Sequence, residues 1–527
     1  MTLVAPARAA DQVTIDSGVV QGRSGTRPGV RVFEGIPYAA PPVGDLRWRA
    51  PEPVAPWPGV RMATKFGPRP MQGSLYSDME FRDEAPSEDC LYLNVWTPAR
   101  SPSERLPVMV WIYGGAFETG STSEHRQDGV GLAAKGVVVV SMNYRVGVFG
   151  FFSHPDLSRE SGHASSGDYG IMDQIAALKW VQRNIAAFGG DPGNVTIFGE
   201  SAGSYSVSIL MASPLARGLF VKAIGESGSL VGTARIPHPL VKTLASEEKN
   251  GARFAQTMGA TTIAMLRAKP ANEVLKAALG DKLLKIVVVV DGYVMPRDLY
   301  TAYSSGSEAR IPLLAGWNAD ESRAYVTFGR IPITADGFQK AVRSEYGPLA
   351  DEILKYYPAG SDAEALRSAG DLACDLFIAN SAWGWIDFHR RTGAPVYRYQ
   401  FDHAVPIHAG STINGHPVTG ADVGAPHSAE IPYVFGALDL NTNVAWQPDD
   451  WKVSAIMQAY WVNFARTGNP NGDGVPIWPR FTEQGHFQVM HLDAVPKLMP
   501  EAYRARHAFW DAVPPKSTNE THIEAGS

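Results

Sequence analysis

Two cysteines in 527 residues, Cys90 and Cys374, allow at most one disulfide, so a stapled small-domain scaffold is excluded and stability has to come from a buried core. Dense runs of Lys or Arg are missing, and the net charge is 47 − 53 = −6, which leaves no electrostatic footprint for nucleic acid. Long apolar runs are missing too: stretches such as 136–140 and 286–290 fall far short of the roughly 20 residues that cross a bilayer. No His-Glu-x-x-His segment and no cysteine cluster offers a metal site, so neither a metal nor a cofactor is expected. What remains is 45% hydrophobic and 19% charged, the composition of a globular protein, with 52 Gly and 39 Pro implying many turns.

Thr2 to Ala10 ends in small residues of the Ala-x-Ala type but lacks a charged start and a full apolar stretch. Residues 1–11 read either as the stump of an export signal, which places the chain in the periplasm or outside the cell, or as a frayed terminus of a cytoplasmic protein. No repeat, linker or composition break divides residues 12–513, which are expected to form one domain, and 514–527 are expected to be a polar tail.

The first ninety residues read as a hairpin, Val13 to Ile15 and Gly18 to Gly22, followed by a Pro-rich loop from Pro37 to Pro70. Beyond it, Leu91 to Trp96, Val108 to Tyr113, Val137 to Tyr144 and Val195 to Phe198 are short, apolar and rich in β-branched residues, as strands covered on both faces are. Ile171, Ile175, Leu178, Val181, Ile185 and Phe188 recur at helical spacing between the last two. Further strands are expected at Ala223 to Glu226, Ile311 to Gly316 and Val396 to Phe401, and helices at Leu372 to Arg391, Trp451 to Thr467 and Ala502 to Ala512. Alternating strands and helices imply an α/β fold around a mostly parallel sheet.

Gly199-Glu200-Ser201-Ala202-Gly203 fits G-x-S-x-G and lies between the strand ending at Phe198 and an expected helix from Ala202 to Met211, the setting of a nucleophile elbow. A tight turn lifts the serine hydroxyl clear of the sheet, and its neighbours must be small where strand and helix crowd. An ordinary Ser/Gly turn is the bland reading of five residues; the strand-turn-helix setting disfavours it. Upstream, Gly114-Gly115-Ala116 ends another buried strand, so the N–H groups of Gly115 and Ala116, with that of Ala202, are expected to form an oxyanion hole. By contrast, Gly129 to Ala134 imitates G-x-G-x-x-A but has its strand after it rather than before it, the reverse of a dinucleotide fingerprint.

An ordered series of segments accompanies the elbow: Phe33-Glu34-Gly35-Ile36-Pro37-Tyr38-Ala39, Ser87-Glu88-Asp89-Cys90-Leu91-Tyr92-Leu93-Asn94-Val95, Asn143-Tyr144-Arg145, Gly170 to Gln174 and Phe188-Gly189-Gly190-Asp191-Pro192. With these the chain resembles the type-B carboxylesterase and cholinesterase family, including its bacterial para-nitrobenzyl-esterase-like members. The resemblance implies an α/β-hydrolase fold, a mostly parallel central sheet flanked by helices with large insertions over the active site. It implies a serine ester hydrolase acting on a small-molecule ester through an acyl-enzyme, and, among such relatives, bulky secondary-metabolite esters, mycotoxins included.

Triad order in that fold is Ser, then Asp or Glu, then His. Trp317-Asn318-Ala319-Asp320-Glu321-Ser322 is similar to the family segment whose second acid completes the triad, which points to Glu321, although spacing alone does not reject Asp320. Gly424-Ala425-Pro426-His427 is similar to the histidine loop, which selects His427 over the nearby His408 and His416. Glu200 and Ser227 are expected beside the triad, with a plain strand-end serine as the alternative for Ser227.

The family pattern is broken in two places. Phe66 to Gln72 lacks the cysteine that many relatives pair with the Cys90 position, leaving Cys90 unpaired, and Met71 to Pro86 has no tryptophan for a quaternary ammonium, which argues against a cholinesterase. Loops Ser74 to Pro86, Ile331 to Phe338 and His403 to Val423 are expected to line the pocket. Rival readings are a catalytically silent, neuroligin-like binding protein, disfavoured because Ser201, Glu321 and His427 are all present, and a hydrolase of another acyl bond such as an amide, thioester or lactone.

Overall fold

A computed structural model describes residues 11–512 apart from 77, 233–237, 331 and 443, so the expected N-terminal segment lies almost wholly, and the expected tail wholly, outside the described residues. Strand formation follows the β-branched runs: Tyr92–Thr97, Leu106–Ile112, Val138–Met142 and Gly190–Glu200 stand where the sequence puts them, with every residue of Val138–Met142 buried. They belong to an eleven-stranded sheet. From Val138–Met142 across to Gln488–Leu492 its neighbours run parallel, and antiparallel strands close both edges.

The amphipathic segment forms the helix Tyr169–Asn184 with a 3-10 turn to Phe188, burying Ile171, Ile175, Leu178 and Val181 against the sheet. A buried bidentate ion pair, Arg145 to Asp173 at 2.7 Å, ties this helix to the chain after Val138–Met142. Desolvating two charges is costly, and here both Asp173 oxygens are met by a fork-shaped pair from Arg145 Nε and Nη2 plus the Arg145 backbone N–H.

Two expectations are corrected. The Pro-rich stretch Pro37 to Pro70 is not all loop, since Val60–Met62 within it pairs with the N-terminal hairpin; just ahead of it, Arg31–Pro37 is a strand of the large sheet to which the sequence reading gave no element. The expected helix Leu372 to Arg391 is broken into Asp362–Cys374, a π-helical turn Asp375–Ala379 and Asn380–Arg391. From Pro332 on, the pocket loop expected at Ile331 to Phe338 leads into the helix Ala335–Tyr346, whose Phe338 is buried in a satellite core with Val342, Ile353 and Tyr357. Among the described residues no helix is long and apolar enough to cross a membrane.

Glycine decides one junction. A Cβ at Gly203 would lie 1.9 Å from the Ile112 carbonyl oxygen, and one at Gly199 would lie 2.6 Å from the same atom, so the elbow helix presses directly on the end of Leu106–Ile112. Overpacking of rigid backbone is not relieved by rotamer changes. Gly203→Ala is expected to cost at least about 2–3 kcal/mol and lower the thermal midpoint, whereas Gly280→Ala, which meets open space, leaves it in place. Equal melting of the two variants would contradict this packing.

Candidate active site

Ser201 sits between the strand Gly190–Glu200 and the helix Ala202–Ala212 with φ 53° and ψ −122°, a conformation an L-residue adopts only under constraint. The constraint is visible on both sides: the Ser201 N–H donates to the Glu226 carbonyl at 2.9 Å, and the Ser201 carbonyl accepts from Tyr205 N–H at 2.8 Å. Facing the turn, Gly114 comes so close that a Cβ there would stand 3.0 Å from Ser201 Cβ and 2.8 Å from Glu200. Gly115, Ala116 and Phe117 then all have positive φ. Such a run points successive N–H groups to one side, and those of Gly115 and Ala116 have no acceptor among the described residues.

Glu321 and His427 arrive on two loops zipped together. Asp320 N–H donates to the Ala425 carbonyl at 3.0 Å and His427 N–H to the Glu321 carbonyl at 3.2 Å. Side chains finish the join: His427 Nδ1 meets Glu321 Oε2 at 2.6 Å, while Glu321 Oε1 accepts from Asn318 N–H at 2.8 Å. Asp320 is engaged elsewhere, with Arg323 at 2.6 Å and Ala425 N–H at 3.1 Å. His408 and His416 are exposed on the stretch after Phe401.

On the other side of the imidazole, Nε2 lies 3.2 Å from Glu200 Oε1, a close ionic contact without an aligned hydrogen bond. Burial alone pushes the His427 pKa down, but Glu200 and then Glu321 draw a proton to it and raise it to about 9. Burial raises Glu200 to about 8, with His427 pulling it back. An ionised Glu200 keeps the proton on His427 and a protonated Glu200 loosens it, so the two groups share protons as one coupled pair that titrates above neutrality.

Two residues that the sequence reading did not single out complete the cluster. Glu430 accepts from Asn318 Nδ2 at 2.6 Å and from Ser227 Oγ at 3.3 Å, and Glu226 accepts from Trp461 Nε1 at 2.7 Å. Burial lifts Glu430 to about 7 and Glu226 well above the usual carboxylate range. The available signal was Glu430 three residues after His427, one helical turn away at the start of Ile431–Phe435. Arg126, ion-paired with the buried Glu124 and with Asp78 at 3.1 Å, supplies the nearby cation. Ser227 thus has a specific partner, and Cys90 and Cys374 are both free thiols.

A strained serine at a strand-helix junction, with unpaired backbone N–H groups beside it and a carboxylate-bound imidazole against the neighbouring Glu200, is the arrangement of a serine hydrolase. The profile of the Carboxylesterase family matches residues 9–510, and the chain belongs to that family. It is 38% identical to the fumonisin B1 esterase of Sphingopyxis macrogoltabida, covering 90% of this chain and 85% of that one. Identity is also 38% to the para-nitrobenzyl esterase of Bacillus subtilis, over 90% and 93% of the two chains. A crystal structure of a Geobacillus stearothermophilus carboxylesterase superposes with TM-score 0.80 at 34% identity, covering 95% of this chain and 99% of that chain. The fold is therefore that of the α/β-hydrolases and the protein is an ester hydrolase.

The electrostatics have a direct test. An NMR titration is expected to place the His427 imidazole above the ordinary value of about 6.5, and Glu200→Gln to bring it down towards that value, because the larger of the two raising charges is gone. An imidazole titrating at or below 6.5 in the parent protein would refute the shared-proton description.

Proposed function

We propose that the protein cleaves carboxylic esters with Ser201 as nucleophile, His427 as general base and Glu321 as the acid that orients it. The observation that carries this reading is the 2.6 Å contact between His427 Nδ1 and Glu321 beside the Ser201 elbow. His427 Nε2 leaves Glu200 for the Ser201 hydroxyl when substrate binds, since catalytic hydrogen bonds tighten in the complex. Ser201 Oγ then attacks the ester carbonyl as its proton passes to Nε2. Gly115, Ala116 and Ala202 N–H groups stabilise the oxyanion. The intermediate collapses, the C–O bond to the alcohol breaks and His427 protonates the leaving oxygen. Water, activated by the same histidine, hydrolyses the acyl-enzyme. Glu321 holds the imidazole in the tautomer with hydrogen on Nδ1, and Glu200 stabilises the imidazolium formed in each half.

For the substrate we infer a bulky secondary-metabolite ester of the mycotoxin kind. Support comes from the similarity to a fumonisin B1 esterase and from Leu75 and Tyr76, exposed apolar side chains on the loop whose Tyr76 lies within electrostatic reach of Glu200. Esters varied separately in acyl and alcohol part test the inference; faster turnover of short acetates than of every bulky ester would sink it.

Ser201→Ala is expected to fold and to lose about 10⁴–10⁶ of kcat, and an organophosphonate to label Ser201 alone. Residual activity within tenfold of the parent, or an adduct mapped elsewhere by mass spectrometry, would end the assignment. Glu321→Gln should damage kcat far more than Asp320→Asn, because only Glu321 touches the imidazole; the opposite ranking would move the role to Asp320. A base works only when neutral, and Glu200 and Glu321 favour the charged form, so kcat/KM of an uncharged ester should rise with pH through a midpoint above about pH 7. A profile flat down to pH 5 would contradict a histidine base.

A further inference from the structure

The break in the helix expected from Leu372 to Arg391 falls beside the active site. π-Helical turns are rare and concentrate at functional sites because the extra residue re-aims side chains without ending the helix. Here the turn Asp375–Ala379 keeps Asp375, Ile378 and Ala379 buried while Leu376 and Phe377 stand out, 53% and 43% exposed. The Phe377 ring meets the His427 ring at a 4.9 Å centroid distance and an interplanar angle of 64°.

The turn is held from behind. The Asp375 carboxylate takes Arg506 Nε at 2.6 Å and Nη2 at 2.9 Å and also accepts from the Tyr357 hydroxyl, which in turn accepts from Trp510 Nε1 at 2.8 Å. Arg506 and Trp510 belong to the helix Arg504–Ala512, so the C-terminal helix bolts the turn in place. Cys374, the residue before the turn, accepts the Ser322 N–H at 3.4 Å, immediately after Glu321. One short segment therefore touches the residue following the acid and the ring of the base.

Once Nε2 turns to serine, the imidazole keeps a single fixed hydrogen bond, Nδ1 to Glu321, about which the ring can still swing. An edge-on aromatic contact is directional and opposes that motion. We propose that Phe377, presented by the π-helical turn Asp375–Ala379, is a positioning residue that holds the His427 ring in the plane where Nδ1 stays on Glu321 and Nε2 reaches Ser201. The inference rests on His427 being the base. It assigns Phe377 an effect on turnover greater than on substrate affinity, because small errors in the orientation of a catalytic group cost rate.

The experiment uses p-nitrophenyl acetate, too small to depend on the apolar rim for binding. Phe377→Ala is expected to lower kcat about tenfold with KM changed less than about twofold, and Phe377→Tyr, which retains the ring, to return kcat to within about threefold of the parent. Phe377→Leu, which fills the space without a ring, is expected to stay low and replaces Phe377→Ala if that variant fails to give a cooperative melt. Should Phe377→Ala and Phe377→Leu both keep kcat within about twofold while His427→Ala is inactive, the positioning role is overturned and the base assignment stands. Should His427→Ala itself retain activity, the base assignment fails first and this inference with it.

Discussion

The approach of two backbones, the end of Leu106–Ile112 and the start of Ala202–Ala212, governs the site. Gly199 and Gly203 let the elbow helix lie on the Ile112 carbonyl, and Gly114 lets the next turn come so close that a Cβ there would stand 3.0 Å from the Cβ of Ser201. Ser201 and the unpaired N–H groups are neighbours because no side chain separates them. The same crowding holds Ser201 at positive φ, a strain that the surrounding hydrogen bonds to Glu226 and Tyr205 sustain.

Around this junction the protein buries an unusual density of carboxyl groups: Glu200, Glu226, Glu321 and Glu430 all face one histidine or one another. Four anions in a dry site would repel more than His427 and Arg126 offset, so protonation is part of the structure. Hydrogen bonds divide the group. Glu321 receives Asn318 N–H and meets the imidazole, whereas Glu226 Oε2 has no partner among the described residues and burial raises its pKa well above the usual carboxylate range. The His427 imidazole in such surroundings is tuned by the neighbouring Glu200 as much as by its hydrogen-bonded partner Glu321.

Local pattern made the central strands, the helix Tyr169–Asn184 and the elbow legible, because each depends on burial of nearby residues or on small residues at fixed offsets. Arg31–Pro37 was not legible as a strand: its Gly35 and Pro37 argue for a turn, and its pairing with Tyr92–Thr97 interrupts register between Phe33 and Ile36. The π-helical turn was equally hidden, since helical periodicity on either side of Cys374 reads straight through an added residue. Glu430 and Phe377 gain their significance from partners far along the chain, and Asp320 was separable from Glu321 only by direction, which spacing does not encode. The likeness to known carboxylesterase segments carried the choice of Glu321 and His427 further than the residues alone.

The zipped loops carrying Glu321 and His427 bear on how the molecule comes to be active. Their joining closes a chain segment of 106 residues that includes helices packed against the sheet and against one another. Contacts of such sequence separation form only after the intervening chain has lost most of its freedom, so they belong late in folding. Pairing of Leu106–Ile112 with Val138–Met142 closes about 30 residues, but its pairing with Gly190–Glu200, the strand that leads into the elbow, closes 87 between Val108 and Val195. Closure cost grows only with the logarithm of length, so the elbow strand and the Glu321–His427 loops carry similar costs, and Ser201 meets that pair only once both halves of the sequence have folded.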